Sequence, residues 1–469
     1  MSKRNLTLLI IGLVIIGIIA FVFFSSYNSS SQSGNTGTNT NFFSNLLSFG
    51  RKNTGTDTSP ANISGFTQNT NNENSTPQNL VKVSSMPVAG FGVFMKERFV
   101  NLPVVTPENT TSPNLPLSGE ATSTTVSGVT TSPPDKGDLG GSKTAKILKP
   151  TPPPTEFIPS LRYVAKATGN IYETFADTID ETQFTTTTIP QVYDAYFSNN
   201  CTDVAMRYLN DDGKTIETFV GTLPSEVLGE DTLSSTELKG SFLPENVTNI
   251  NVSPDTKNIF YLFNLSSTDS SVGITAGGAG DKKIQIFSSP FTEWTSWWPN
   301  NRMITLTTKP SVGVPGYMYA VDPNKKDLNK ILSGVNGLTT LTSPSGKLVL
   351  YSNDNLNLSI YNTDTKQSTS TGLKTLPEKC VWNKLSNAVY CAVPKFIDQT
   401  NYPDIWYQGQ VSFSDDLWKI DVLDGTTSLI SDPSVVGADI DGIKLAIDDN
   451  ENYLFFINKK DSYLWELSL

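Results

Sequence analysis

LTTLTSPSGKLVLYS (338–352) is two apolar runs divided by Ser-Pro-Ser-Gly, and its reading decides the fold. Leu, Val, Thr and Tyr flank a turn of Ser, Pro, Gly and Lys, and neither flank keeps helical spacing, so the segment spells a β-hairpin. The same pattern returns as NINVSPDTKNIFYLF (249–263), TSWWPNNRMITLTT (295–308) and LAIDDNENYLFFI (445–457). Two weaker copies read DAYFSNNCTDVAMRYL (194–209) and KCVWNKLSNAVYCAV (379–393). Pro254, Pro299 and Pro344 occupy one turn position, where a fixed φ helps and no ladder N–H is needed. Matching turns fall roughly 40 to 65 residues apart, the range of one four-stranded propeller blade with loop insertions.

Two more strand-like runs follow the hairpins. In the fifth unit these are LNLSIYNTDT (356–365) and KQSTST (366–371); in the sixth, DLWKIDVLDG (416–425) and TTSLISD (426–432). A β-sandwich would also alternate short strands with turns. The constant order of strong and weak strands instead predicts an all-β propeller.

The hairpins with Ser-Pro-Asp or Ser-Pro-Ser-Gly turns resemble the WD-like repeats of TolB-type bacterial β-propellers over about residues 160–469. The resemblance implies the fold alone. Trp-Pro-Asn-Asn (298–301), Asn-Lys-Leu-Ser (383–386) and Asp-Asp-Asn-Glu (448–451) depart from the pattern, and no functional residue carries over.

The blade count comes from the ends. The last unit supplies three strands, near 441–449, 452–457 and 462–468. Upstream, 161–170, 171–177 and 182–188 read as the second, third and fourth strands of a unit lacking its first. QNLVKVSSMPVAGFGVFMKE (78–97) divides at Pro87. Its first half is expected to complete the last blade and its second half to open the first. That gives seven blades closed by an N-terminal strand, which removes an exposed edge. Six or eight blades stay open as counts.

Residues 6–24, LTLLIIGLVIIGIIAFVFF, carry no charge and are long enough to cross a bilayer core as a helix. Lys3 and Arg4 precede them, so residues 1–5 are expected in the cytoplasm and the rest of the chain outside. A cleaved signal peptide would want a shorter apolar core and a small-x-small site; this run ends Phe-Val-Phe-Phe, and a retained anchor is expected. Residues 25–77, dominated by Ser, Thr, Asn and Gly, read as a disordered linker. The propeller is assigned to 78–469, with a Pro/Thr/Ser-rich insertion at 101–156 that interrupts the first blade as a loop.

Net charge is 34 − 45 = −11, which argues against nucleic acid and against docking to anionic lipid. The chain has no histidine, which excludes a Ser-His-Asp triad, a Cys-His pair and any His-bearing zinc site. Carboxylate-only chemistry stays open. GITAGGAGDKK (273–283) lacks the ending of a phosphate loop and reads as a flexible hairpin loop. ADIDG (438–442) and NDDGK (210–214) lack the remaining ligands of a calcium loop and read as turns. No catalytic, metal or cofactor-binding residue is assigned, and no cofactor is expected.

Two sets of residues stand out. If Asn383 opposes Ala388 in the sixth hairpin, Cys380 faces Cys391, at a separation that suits a disulfide. Two small hydrophobes packed in a strand is the other reading. Cys201 is then unpaired in the turn SNNCTD. The second set is Tyr402, Trp406 and Tyr407, in the long loop PKFIDQTNYPDIWYQGQ (394–410), a type enriched at binding hot spots. The other reading has Trp406 folded back over the rim of its own blade.

Loops after strands one and three open on one face of a propeller, and loops after strands two and four on the other. The linker and the 101–156 insertion fall on the first face, expected toward the membrane. The segments 266–280, 309–316 and 394–410 are expected to fall on the second. The expectation is a single-pass, membrane-anchored binding or scaffolding module in a bacterial cell envelope, with another envelope protein or a polysaccharide as partner. The alternative is a carboxylate-dependent carbohydrate-active or peptide-processing enzyme on the same fold.

Overall fold

The computed structural model describes residues 67–69, 79–100, 153–226, 228, 236–265, 268–397 and 401–469. The apolar span 6–24 and most of the linker and insertion lie outside these residues. Among the described residues, no helix is long and apolar enough to cross a membrane.

Seven antiparallel sheets follow one another along the chain, and together they make a seven-bladed β-propeller. The six hairpins read from the sequence supply strands one and two of blades two to seven. In blade five, for example, Thr339–Thr342 pairs with Leu348–Ser352, followed by Asn357–Asn362 and Gln367–Lys374. In blades one, six and seven above all, the second strand carries a long unbroken run of buried residues, covered by a neighbouring blade on both faces. Ile259, Phe260, Tyr261 and Leu262 in blade three are all at or below 1% exposure, which is why these strands read as unbroken apolar runs.

Leu80–Lys82 pairs antiparallel with Leu464–Ser468 and is the outermost strand of blade seven. The chain then enters blade one as the long strand Val88–Phe99. The ring is therefore closed by backbone hydrogen bonds between the two ends of the described propeller, as the sequence leads one to expect. Lys444 reinforces the seam from its left-handed backbone position: its ammonium donates to the Ala89 carbonyl of blade one (2.9 Å) and pairs with Asp194 of blade two.

Three sequence readings need correction. Thr67–Asn69, placed in the disordered linker, adds a fifth, parallel strand to blade six in register Thr67↔Thr426. Edge pairing uses main-chain groups, which any composition supplies. The ladder of the first hairpin runs to Phe99↔Thr155, so Thr155 and Glu156 are strand, not insertion. Ser270–Gly277, read as part of a loop, is the third strand of blade three. Glycine is needed there because a Cβ on Gly273 would stand 2.7 Å from the Phe260 ring and 3.0 Å from Phe287 Cβ.

Strand direction fixes the two faces. Turns between strands one and two, and three and four, lie on what we term the lower face. Loops between strands two and three, and between blades, lie on the upper. Thr67 and Leu80 both begin their strands at the lower face, because each runs parallel to the fourth strands. Phe99 and Thr155, the last pair of the first ladder of blade one, lie at that face too.

Candidate functional site

The longest connection on the upper face is the loop 395–414, between Ala388–Pro394 and Asp415–Asp421 of blade six. It contains one helical turn, Asp404–Tyr407, here α1. Tyr402 and Trp406 are 2% and 5% exposed and pack with Leu356, Leu376 and Phe413. Tyr407, by contrast, is 40% exposed. Of the three aromatic residues singled out in the sequence, two therefore form the core of the loop and only Tyr407 presents its ring. The Trp406 ring stacks on Phe413 at 6.2 Å. Apolar burial of this kind stabilises by about 1.5–3 kcal/mol per large side chain, and a 20-residue excursion would otherwise have no core of its own.

A buried charge network lies beneath the loop, and sequence reading missed it. Lys379, fully buried, pairs with Asp415 (2.8 Å) and Asp441 and donates to the Gly442 carbonyl (3.1 Å). Asp441 Oδ2 accepts the Trp406 indole N–H (3.0 Å) and the Phe413 backbone N–H (3.0 Å). Asp415 Oδ2 accepts the Gly442 N–H (2.7 Å). Desolvation pushes the Asp415 carboxyl up to about 6, against the pull of Lys379, and its other oxygen has no partner among the described residues. Asp441 belongs to ADIDG, where turn chemistry was expected. That reading holds at NDDGK, whose Asp212 accepts from Lys214 N and Thr215 N (both 2.8 Å), and fails at Asp441. Burial is what separates them, and a five-residue motif does not carry it.

The loop also ties four blades together. Asp404 accepts from Ser311 Oγ (2.9 Å) and Val312 N (2.6 Å) of blade four. It crosses blade five over Leu356, and Lys459 of blade seven donates to the Trp406 carbonyl (2.6 Å) with its ammonium 3.9 Å from the Trp406 ring centre. It is a strapped cap over the upper face.

Next to the cap opens the central channel, in two chambers. The upper, about 250 Å³, is lined by Glu378, Tyr407, Asn249, Trp297, Thr340 and Lys444 among others. The lower, about 460 Å³, is lined by turn residues including Pro254, Pro299, Pro344 and Lys384. Trp297 and Val381 line both and form the waist between them. Glu378 accepts the Tyr407 hydroxyl at the upper mouth. Channel walls that displace water push its carboxyl up, and the Tyr407 hydrogen bond and the fields of Lys379 and Lys459 oppose the shift. Asn249 Oδ1 accepts from Asn251 Nδ2 (2.9 Å), Ser296 Oγ (2.6 Å) and Ser296 N (3.2 Å).

Cys380 stands directly opposite Cys391 in the first hairpin ladder of blade six, Cα atoms 4.0 Å apart and sulfurs joined as a disulfide. Cys201 is free and buried; its thiol is pushed up to about 12 by desolvation.

No family model matches this sequence, and neither does any curated protein. Among solved structures, the chain is similar to an oligogalacturonate lyase in complex with manganese, at 9% identity and TM-score 0.42 over 66% of this chain and 85% of that one. It is also similar to the β-propeller domain of the Trilobed protease from Pyrococcus furiosus, at 14% identity and TM-score 0.43 over 66% and 91%. A chain of the Mitotic Checkpoint Complex matches at 10% identity and TM-score 0.40 over 66% and 86%. None of these likenesses bears on activity; the propeller stands on its own seven sheets.

Proposed function

We propose that this chain is a binding module, held to a membrane through residues 6–24, that engages an envelope protein or a polysaccharide with its upper face. One observation carries the reading. The chain enters the ring at the lower face, while the built and strapped loop of blade six, with Tyr407 at the channel mouth, occupies the upper. The same face exposes Phe396 (83%) and Val435 (82%). Lys395 holds their loops together through Asp432 and Ser434. An apolar group kept exposed on an otherwise polar rim suits a contact surface. A paired-acid hydrolase needs two carboxylates facing one substrate, and Glu378 is the one carboxylate among the described residues lining the upper chamber.

The test is capture of envelope components by the full chain in detergent, comparing wild type with Tyr407→Ala and Phe396→Ser. The reading expects weaker capture by both variants at a nearly unchanged melting temperature. Capture that both variants leave intact would place the functional surface elsewhere. Protease added to intact spheroplasts should release nearly the whole propeller; full protection refutes the orientation.

A further inference from the structure

The upper chamber joins one open aromatic ring to several planar or hydroxylated polar groups. Trp297 is 41% exposed, and its indole N–H is committed to the Thr342 carbonyl at 3.0 Å. The ring is therefore fixed by one edge and leaves a face to the channel. Asn249 offers the complementary group. Its oxygen must be the atom that accepts the Ser296 backbone N–H, which settles the amide orientation. Its nitrogen then has no partner among the described residues, and Asn249 lines the chamber. Glu378 gives one oxygen to Tyr407, and its other oxygen has no partner among the described residues. Thr340 adds a hydroxyl shared with Thr307 at 2.6 Å.

Charge narrows the ligand class. Lys444 is neutralised by Asp194. The Glu378 carboxylate faces the fields of Lys379 and Lys459, so no excess of either sign is presented to a guest. An anion would meet Glu378, and a cation would meet Lys444 on the same wall. What remains is a neutral, flat-faced molecule that carries both donors and acceptors. A carboxylate accepts from two vicinal hydroxyls, an amide N–H₂ donates to a hydroxyl oxygen, and an indole face covers the C–H face of a pyranose ring.

Resting on the binding-module reading above, we propose that the upper chamber is a carbohydrate subsite. It takes a neutral sugar unit on Trp297, with ring hydroxyls on Glu378 and Asn249. Tyr407 closes the mouth and fixes the Glu378 carboxylate. The waist at Trp297 and Val381 stops the sugar from passing into the lower chamber.

The experiment titrates maltohexaose, cellohexaose and N-acetylchitohexaose into the full chain, held in a detergent without a sugar headgroup, by calorimetry and saturation-transfer NMR. At least one should bind. Trp297→Ala and Glu378→Gln should each weaken that binding by roughly tenfold or more, and Lys384→Ala in the lower chamber should leave it unchanged. Thermal melts of each variant separate lost binding from lost folding, and Glu378→Gln is the variant whose shape is preserved. Absence of binding by all three sugars overturns the proposal, as does binding that survives both upper-chamber variants. So does saturation transfer to an oligolysine peptide in place of the sugars. If the sugars fail while capture of an envelope component still depends on Tyr407, this subsite alone falls and the binding-module reading stands. If both fail, both are wrong.

Discussion

The indole N–H of Trp406 donates to the carboxylate of Asp441 at 3.0 Å, joining the cap of blade six to the first strand region of blade seven. The same carboxylate holds the buried ammonium of Lys379. Cap, blade junction and charge network are thus one unit, and the unit makes separable predictions.

Lys379→Met strands Asp415 and Asp441 without their cation. Removing one partner of a buried network costs about 3–5 kcal/mol, and urea unfolding should show a loss of that order. A loss below about 1 kcal/mol would mean that the carboxylates are neutral or solvated and that the network does not form.

Trp406→Ala should cost about 3–5 kcal/mol, as for other fully packed aromatic residues. Tyr407→Ala should stay within about 0.5–1 kcal/mol, because its ring is partly open to the channel. Two melting curves check this. Equal losses would show that the cap is packed differently.

Glu466 is buried, with one oxygen unpartnered, and burial pushes its carboxyl up to about 8. A raised acid keeps its proton in the folded state while the unfolded chain has lost it. Its contribution to stability therefore falls as pH climbs from the ordinary value of 4.5 to about 8, and levels beyond. Glu466→Gln should match wild type at pH 4.5 and melt higher at pH 8. A difference independent of pH would contradict the assignment.

The Cys380–Cys391 bond closes a short loop, sequence separation 11, and Cys391→Ser under oxidising conditions should cost about 2–4 kcal/mol. Iodoacetamide followed by mass spectrometry should label no cysteine in the folded chain and Cys201 alone after unfolding without reductant, because the Cys201 thiol is buried and held protonated. Labelling at 380 or 391 before reduction would remove the disulfide from the account.

The hairpins were legible because apolar side chains announce second strands such as Asn258–Leu265, and a short polar turn marks where each begins. Closure by Leu80–Lys82 was legible for the same reason. What the letters hid was backbone pairing, which let Thr67–Asn69 pass as linker, and packing complementarity, which made Ser270–Gly277 look like loop although Phe260 and Phe287 require its glycine. The site was hidden further. Tyr402, Trp406 and Tyr407 share one loop and one composition. Their opposite fates depend on Leu356 and Leu376, which arrive from other parts of the chain, and on Phe413 at the far end of the loop. Glu378 and Lys379 are neighbours in sequence, yet one faces the channel and the other lies in a dry junction.

The claim that the capped upper face is the working face is tested most directly by a photo-crosslinking residue placed at single positions in the full chain, in its own membrane. Position 407 reports the upper face and position 385, where Leu385 is 76% exposed in a lower-face turn, reports the other. The account predicts a specific adduct from 407 and none from 385. An adduct from 385 alone, or equal adducts from both, would contradict it.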